Sequence, residues 1–158
     1  MGIHVWRLVA HHEEADMAIQ RCKESSRIAI GWGKTGALGS CSADATEIAR
    51  AIRASYPDLN NAHIGGPSLL RFAHQIRTDD LVIISDGVRR RAVMKVLGEY
   101  QWNRDWSPVS GGDYWHHRRA EFYSAESPEE LWRRAGGAVA EGENIRWPLV
   151  RLHQRLDI

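Results

Sequence analysis

The residues with the clearest chemical potential lie in a glycine-flanked segment, residues 31–35, which reads Gly-Trp-Gly-Lys-Thr. Glycines allow a backbone to approach a flat ligand closely. The Trp32 indole can stack on that ligand, while the Gly33 N–H or the Lys34 ammonium meets its polar edge. A nucleotide-binding P-loop would need a glycine five residues before Gly33, where Ile28 stands. The segment therefore predicts a pocket wall rather than a triphosphate site, the alternative being that Trp32 is a core residue in a tight turn.

Histidines are frequent, with eight in the chain, yet their positions do not predict a metal site. His116 and His117 are neighbours in a predicted strand, so their side chains point to opposite faces. His11 and His12 have no partner at a zinc-binding spacing. A hydrolase needs a nucleophile beside a positioned base, and the sequence has neither a G-x-S-x-G motif nor a carboxylate pair. We therefore expect no metal, no cofactor and no catalytic residue.

Basic side chains are concentrated in two clusters although the net charge is only +1. Such clusters form either a solvated face or a phosphate-binding stripe. The candidates for phosphate contacts are Lys34, Arg89, Arg90, Arg91, Arg118 and Arg119. The chain also contains seven tryptophans, more than one small core requires, so we expect some of them to line a pocket.

The length of 158 residues predicts one domain with a substantial core. The hydrophobic fraction of 43% is ordinary for a globular protein, and no apolar run approaches the roughly 18 residues that a membrane span needs. The first residues lack the basic head and apolar core of a secretory signal. Cys22 and Cys41 are too few for a disulfide framework, so both are expected to be buried or inert thiols. These features predict a cytoplasmic protein that does not enter a membrane.

Hydrophobic periodicity and turn signals predict an α+β arrangement of about five strands and four helices. The nearly all-apolar segment Leu81–Ser85 is expected at the centre of a sheet, and Asp86-Gly87 after it predicts a hairpin to the next strand. The other predicted strands are His4–Val9, Arg27–Trp32, Ala92–Trp102 and Trp115–Tyr123. The predicted helices are residues 13–24, one capped by Asp44 or Ser42 that runs to Tyr56, one that follows a Gly65-Gly66-Pro67 turn, and one capped by Ser127.

Four segments, taken in order, carry a resemblance to a known superfamily. They read IAIGWGKTGAL, RFAHQIRTDDLVIISDG, AVMKVLGEYQW and HHRRAEFY. This series resembles the PUA-like superfamily, and within it the EVE-like and YTH-like readers of modified bases. The resemblance implies a small, strongly curved, mixed β-barrel of about five or six strands, flanked by helices. It implies this PUA-like domain over residues 1–125 and leaves residues 126–158 as an accessory helical tail.

Readers of this kind extrude a base from the stack and hold it in an aromatic cage. The resemblance implies one wall of the cage at Trp32 and Gly33. A second wall is expected from Trp102 or Trp106, of which Trp106 is favoured. The edge of the base is expected to meet the turn after the first strand and the end of the buried strand, at His11, His12, Ser85 and Asp86.

The function implied is a non-catalytic module that binds DNA carrying a modified base, such as a methylated or hydroxymethylated one, with RNA as the lesser alternative. A separately encoded restriction nuclease is the expected partner. The alternative from a different class is a small amidohydrolase similar to ASCH-type proteins, acting on a modified nucleoside. In that hypothesis a desolvated Lys34 deprotonates the Thr35 hydroxyl, and Glu99 supplies the carboxylate.

Overall fold

The computed structural model describes residues 2–39, 44–137, 147–152 and 154–157, so Cys41 and Ser42 lie outside the described residues. Within that range the predicted α+β class is confirmed. The strands are β1 (Gly2–Ile3), β2 (Val5–Val9), β3 (Arg27–Ile30), β4 (Leu81–Ser85), β5 (Arg90–Trp102), β6 (His116–Phe122), β7 (Leu149–Arg151) and β8 (Leu156–Asp157). The helices are α1 (Ala15–Ser25), α2 (Ala45–Ser55), α3 (Ala62–Leu70) and α4 (Pro128–Arg134), with short helical turns at Gly33–Thr35 and Arg71–Gln75.

One mixed sheet organises the domain, with the strand order β3-β6-β5-β4-β2-β7. β2 and β4 are parallel, and every other neighbouring pair is antiparallel. A parallel pair needs a long crossover, and here the crossover carries α1, β3, α2 and α3. β4 lies between β2 and β5, so its predicted central position and its hairpin with β5 are both confirmed.

Irregular pairing marks the long strand β5, which contains 13 residues. Its register with β4 shifts between Ile84 and Ser85, and its register with β6 shifts between Val96 and Tyr100. Shifts of this kind bend a strand and increase its twist. In the described ranges the sheet nevertheless remains open, with β3 and β7 as its edges, and the expected closure into a barrel is not found.

Two hydrophobic cores form on opposite faces of the sheet. Because side chains alternate along a strand, β4 sends Val82 and Ile84 into the larger core and Leu81 and Ile83 into the smaller one. The larger core also contains the apolar faces of α1, α2 and α3. The smaller core is closed by α4 and by the C-terminal residues. Burial on both faces explains why the β4 sequence is uniformly apolar.

The segment after residue 125 takes part in the same sheet. β7 pairs with β2, with Leu149 opposite Leu8 and Arg151 opposite Trp6. α4 begins as predicted, with the Ser127 hydroxyl accepting from the Glu130 N–H at 3.2 Å. The residues expected to form an accessory helical tail thus supply one helix and two short strands, and they close the smaller core.

The predicted turn at Gly65-Gly66-Pro67 is wrong, because all three residues lie inside α3. The glycines serve packing between helices instead. A Cβ on Gly66 would lie 2.5 Å from the Ala45 carbonyl oxygen of α2. The capping prediction at Asp44 is confirmed, since its carboxylate accepts from the Thr46 N–H at 2.7 Å.

If β7 belongs to the folding unit, Leu149→Ala should lower the free energy of unfolding by about 2 to 5 kcal/mol, since the Leu149 side chain is fully buried. Urea unfolding measures this change. Arg151→Ala, at an exposed position of the same strand, is the matched control and should cost less than about 0.5 kcal/mol. If both substitutions changed the free energy of unfolding by the same small amount, β7 would not contribute to the stability of the domain.

Candidate functional site

Trp32 has an uncommon backbone conformation at the end of β3. Its φ of 61° and ψ of 35° lie in the left-handed region, which a bulky residue rarely adopts. The Trp32 carbonyl accepts from the Thr35 N–H at 3.3 Å and from the Thr35 hydroxyl at 3.1 Å. The indole N–H donates to the Asn61 side-chain oxygen at 3.3 Å, and a Cβ on Gly65 would lie 2.9 Å from the indole. The surroundings therefore hold a strained backbone in one place, as is common at functional sites.

A small cavity of about 190 Å³ opens beside the Trp32 ring. It combines three aromatic rings, those of Trp32, Tyr56 and Tyr114, with three polar side chains, His12, Asn61 and Asp113. A cavity of about 150 Å³ in another protein holds benzene, so this one has room for a single flat ring. Gly31 forms part of the wall, and a Cβ there would lie 3.1 Å from the Tyr114 ring.

The buried His116 ring holds the Trp32 loop through hydrogen bonds. Its Nε2 lies 3.0 Å from the Trp32 carbonyl oxygen and 3.1 Å from the Thr35 hydroxyl, and its Nδ1 lies 2.7 Å from the Tyr100 hydroxyl. The Tyr100 oxygen accepts from the Leu38 N–H at 2.9 Å, and its hydroxyl proton can therefore be donated in a hydrogen bond to His116 Nδ1. The imidazole then carries its proton on Nε2 and donates it to Trp32. Burial lowers the pKa of His116 to about 4, which keeps the ring neutral.

Asp113 organises the opposite side of the cavity. The Tyr56 hydroxyl donates to its carboxylate and accepts from the Lys34 N–H at 3.0 Å. The Asp113 backbone oxygen accepts from the Gly33 N–H at 3.0 Å. Burial raises the pKa of Tyr56, and the hydrogen bond to Asp113 raises it further, so the phenol stays protonated. The Gly33 N–H is thus occupied within the protein, which overturns its expected role at the edge of a ligand.

The expected pair of Trp32 and Trp106 across one pocket is not formed. Trp106 lies near the start of β3, where its indole N–H donates to the Ser25 hydroxyl at 3.2 Å and the Arg27 guanidinium lies 5.2 Å from its ring centre. Trp32 follows the other end of the same strand, and four residues of strand separate the two ends by about 13 Å. Trp102 lies nearer, where it supports the loop by donating its indole N–H to the Gly33 carbonyl at 2.8 Å.

The polar residues expected at the edge of the base divide into two groups. His12 lines the cavity, and its pKa is lowered by lost hydration and by the neighbouring His11. His11 lies beside it, its ring 4.8 Å from that of Tyr114, while its Nδ1 accepts from two backbone N–H groups at the start of α1. Ser85 and Asp86 line no part of this cavity. Both hold the β4–β5 turn, Ser85 by accepting from the Gly87 N–H and Asp86 by accepting from the N–H groups of residues 88 and 89.

Most of the predicted phosphate-binding stripe is engaged within the protein. Arg118 is buried and donates to the carbonyls of Gly98 and Phe72, at 3.2 and 3.1 Å. Arg90 pairs with a glutamate of α4 at 3.1 Å, and Arg91 pairs with Asp16 at 2.7 Å. These arginines are not a continuous stripe, because each neutralises or caps a group of its own fold. The exposed members of the predicted set are Lys34, Arg89, Arg91 and Arg119.

The residues of the hydrolase hypothesis do not meet as proposed. The Lys34 ammonium lies over the Tyr56 ring, 5.5 Å from its centre, whereas the Thr35 hydroxyl contacts His116. Thr35 donates to backbone carbonyls, and the nearest ring nitrogen, His116 Nε2, carries a proton in the network above. Glu99 is exposed and lines a separate shallow depression with Arg118.

The described ranges contain no group of three side chains placed to ligate a metal ion. No helix in them has both the length and the apolar character that crossing a bilayer demands.

Sequence reasoning missed Tyr56, Asn61, Asp113 and Tyr114. These residues come from two loops that are far apart in the chain, so no local pattern joins them. One signal was available, because Tyr56 ends the strongly amphipathic helix α2 immediately before a proline and therefore projects from a helix terminus.

The fold and the cavity define an α+β domain with an aromatic pocket at one end of an open mixed sheet. The chain belongs to the family described as "Domain of unknown function (DUF8426)", whose model matches residues 6–134. No curated protein matches the chain significantly. No solved structure does so either.

The buried His116 predicts a specific loss of stability in acid. Its pKa is lowered in the folded protein. Between about pH 6.5 and 4 the imidazole is therefore protonated in the unfolded chain and neutral in the folded one. The stabilisation is complete above about pH 6.5 and is lost, on the order of 3 kcal/mol, as the pH falls towards 4. Urea unfolding at several pH values gives the slope of the unfolding free energy against pH. In His116→Gln this slope should correspond to about one fewer proton taken up on unfolding than in the wild type.

The exposed His63 of α3 gives the matched control, since His63→Gln leaves the buried ring in place. Because His4, His12 and His117 also have lowered pKa values, the wild type must be compared with each variant directly. Identical pH dependence in His116→Gln and the wild type would show that the ring is not held neutral.

Proposed function

We propose that the protein is a non-catalytic nucleic-acid-binding module that holds one extruded, modified base in the cavity beside Trp32. A methylated or hydroxymethylated base in DNA is the proposed ligand, and RNA is the lesser alternative. The observation that carries the proposal is the cavity itself, about 190 Å³ with Trp32, Tyr56 and Tyr114 in its walls. Extruding a base costs a few kcal/mol, and stacking on aromatic rings returns about 1 to 3 kcal/mol per base.

Polar groups in the cavity favour a base that carries an amino group. Asn61 accepts the Trp32 indole N–H with its oxygen, which leaves its NH₂ group as a donor for a ligand. The Asp113 carboxylate is an acceptor, and an exocyclic amino group is its natural complement. A donor and an acceptor in the same cavity suit cytosine or adenine derivatives, whose pairing edge presents an amino group beside a ring nitrogen.

Cationic side chains near the mouth can meet the phosphates that flank an extruded base. Lys34 lies over the outer face of Tyr56. Arg53 and His63 line a second depression of about 320 Å³ that shares Tyr56 and Leu59 with the cavity. This placement gives the sugar–phosphate backbone a charged contact close to the base pocket.

We also propose that the fold is a PUA-like one related to the EVE-like and YTH-like readers, in an open form. Two features support this relationship. The strands and helices follow the order that the resemblance implies, and the tryptophan loop after β3 borders a cavity. A reader of this class would work with a separately encoded restriction nuclease.

Trp32→Ala tests the pocket directly. The variant should lose about ten- to a hundredfold in affinity for the modified strand, because it removes one stacking face, while binding to the unmodified strand barely changes. Fluorescence anisotropy at fixed salt measures both, with oligonucleotides carrying 5-methylcytosine, 5-hydroxymethylcytosine, N6-methyladenine or no modification, as DNA and as RNA.

Trp106→Ala is the matched control, since it removes an indole that lies outside the cavity. Its preference for the modified strand should remain within about twofold of the wild type. A loss of preference in the Trp106 variant but not in the Trp32 variant would locate the pocket elsewhere. Equal affinity of the wild type for every oligonucleotide would refute modified-base recognition.

A further inference from the structure

A wide groove of about 1080 Å³ lies at the other end of the β2–β7 edge of the sheet. It is bordered by the helical turn that follows α3 and by the C-terminal residues from Val150 onward. Its charged lining among the described residues consists of Arg71, Arg77, Arg151 and Arg155, and two histidines, His4 and His74, lie beside them. No aspartate or glutamate of the described ranges lines it.

The arginines of this basic groove differ from those of the predicted stripe in how they are compensated. In the described part of the chain, Arg77 and Arg151 form no ion pair, whereas Arg89, Arg90 and Arg91 of the predicted stripe each pair with a carboxylate. The Asp80 carboxylate, which acts electrostatically on His4 of the groove, is buried. It is already engaged by the N–H groups of His4, Trp6 and Arg77, each at 3.0 Å.

Two of the arginines are held in place while keeping most of their donors. Arg71 donates one N–H to the Leu149 carbonyl at 3.0 Å, and Arg155 donates one to the Gly2 carbonyl at 2.9 Å. A guanidinium has five N–H groups, so with respect to the described residues four remain on each side chain. The pKa of Arg71 is lowered by burial and then by Arg151, which shows that the cations crowd one another. A bound anion would relieve that repulsion.

The dimensions of the groove indicate an extended anion. A single phosphate fills a small part of about 1080 Å³, and small-molecule pockets are mostly apolar, unlike this one. Several arginines spread over one groove suit a chain of phosphates, which arginine binds through paired N–H groups.

The groove and the aromatic cavity are connected by two elements. α3 has Asn61 at its start, in the cavity, and Arg71 just past its end, in the groove. Pro148, which precedes β7, lines the cavity, and Arg151, the last residue of β7, lines the groove. At about 3.3 Å per residue these two residues are about 10 Å apart, whereas His4 in the groove and Val9 in the cavity are about 17 Å apart along β2. These distances correspond to about three to five nucleotides of a duplex strand.

We propose that the basic groove binds the sugar–phosphate backbone of the nucleic acid, about three to five nucleotides from the base that enters the cavity. The assignment rests on the proposed function for the identity of the ligand. It moves the main phosphate contacts from the arginines after β4 to the opposite end of the sheet. The groove reads no base, so it contributes equally to modified and unmodified strands.

The experiment measures the salt dependence of binding for the full chain, with modified and unmodified oligonucleotides of the same sequence. Arg77→Ala/Arg151→Ala should lower the slope of log affinity against log salt by about two units on both strands. Trp32→Ala should leave that slope unchanged and lose only the preference for the modified strand. Arg89→Ala/Arg119→Ala removes the same charge from the predicted stripe and is the matched control. Thermal unfolding checks that each variant is folded.

The outcomes separate the two proposals. An unchanged slope in the Arg77/Arg151 variant, with the modified-strand preference intact, overturns the groove and leaves the base pocket standing. A reduced slope in the Arg89/Arg119 variant alone returns the backbone to the predicted stripe and also overturns the groove. A wild type that binds polyglutamate but no oligonucleotide overturns both proposals and assigns the groove to an acidic protein.

Discussion

A neutral imidazole buried under the Trp32 loop is the constraint on which the site depends. His116 belongs to β6, accepts a hydrogen bond from the Tyr100 hydroxyl of β5, and donates one to the carbonyl of Trp32 after β3. Three neighbouring strands are thereby tied to one loop conformation. A left-handed backbone at a tryptophan costs on the order of 1 to 3 kcal/mol, and it persists because this network and the Thr35 hydroxyl leave the carbonyl no other orientation.

The cavity is assembled from segments that have little in common in the sequence. Trp32 and Gly31 follow a strand, Tyr56 and Asn61 lie between two helices, and Asp113 precedes β6. Hydrogen bonds between the segments hold them together: the Gly33 N–H donates to the Asp113 carbonyl, the Lys34 N–H to the Tyr56 hydroxyl, and the Trp32 indole to Asn61.

Sequence patterns identified most of the secondary structure and one wall of the site. β4 was predictable because burial on both faces demands a continuous apolar run, and α4 because a serine cap followed by proline is a local signal. The glycines of α3 led to a wrong prediction, because glycine is common both in turns and where two helices pack closely. The close approach of the Ala45 carbonyl of α2 to Gly66, which identifies the second case, is visible only in the fold. The prediction for Arg118 was wrong for the same kind of reason. Its charge suggests exposure, but in the fold the side chain is buried and backbone carbonyls take the place of water as its hydrogen-bond acceptors. Long-range contacts of this kind leave no trace in local periodicity.

The glycine at position 31 sets the capacity of the cavity through the side chain that it lacks. The edge of the Tyr114 ring lies 3.1 Å from the point where a Cβ would stand, so the space beside the ring is measured in single methyl groups. If the cavity holds a base as proposed, a substituent on that base would compete for the same space. An alanine at position 31 would then narrow the range of bases that fit beside Tyr114.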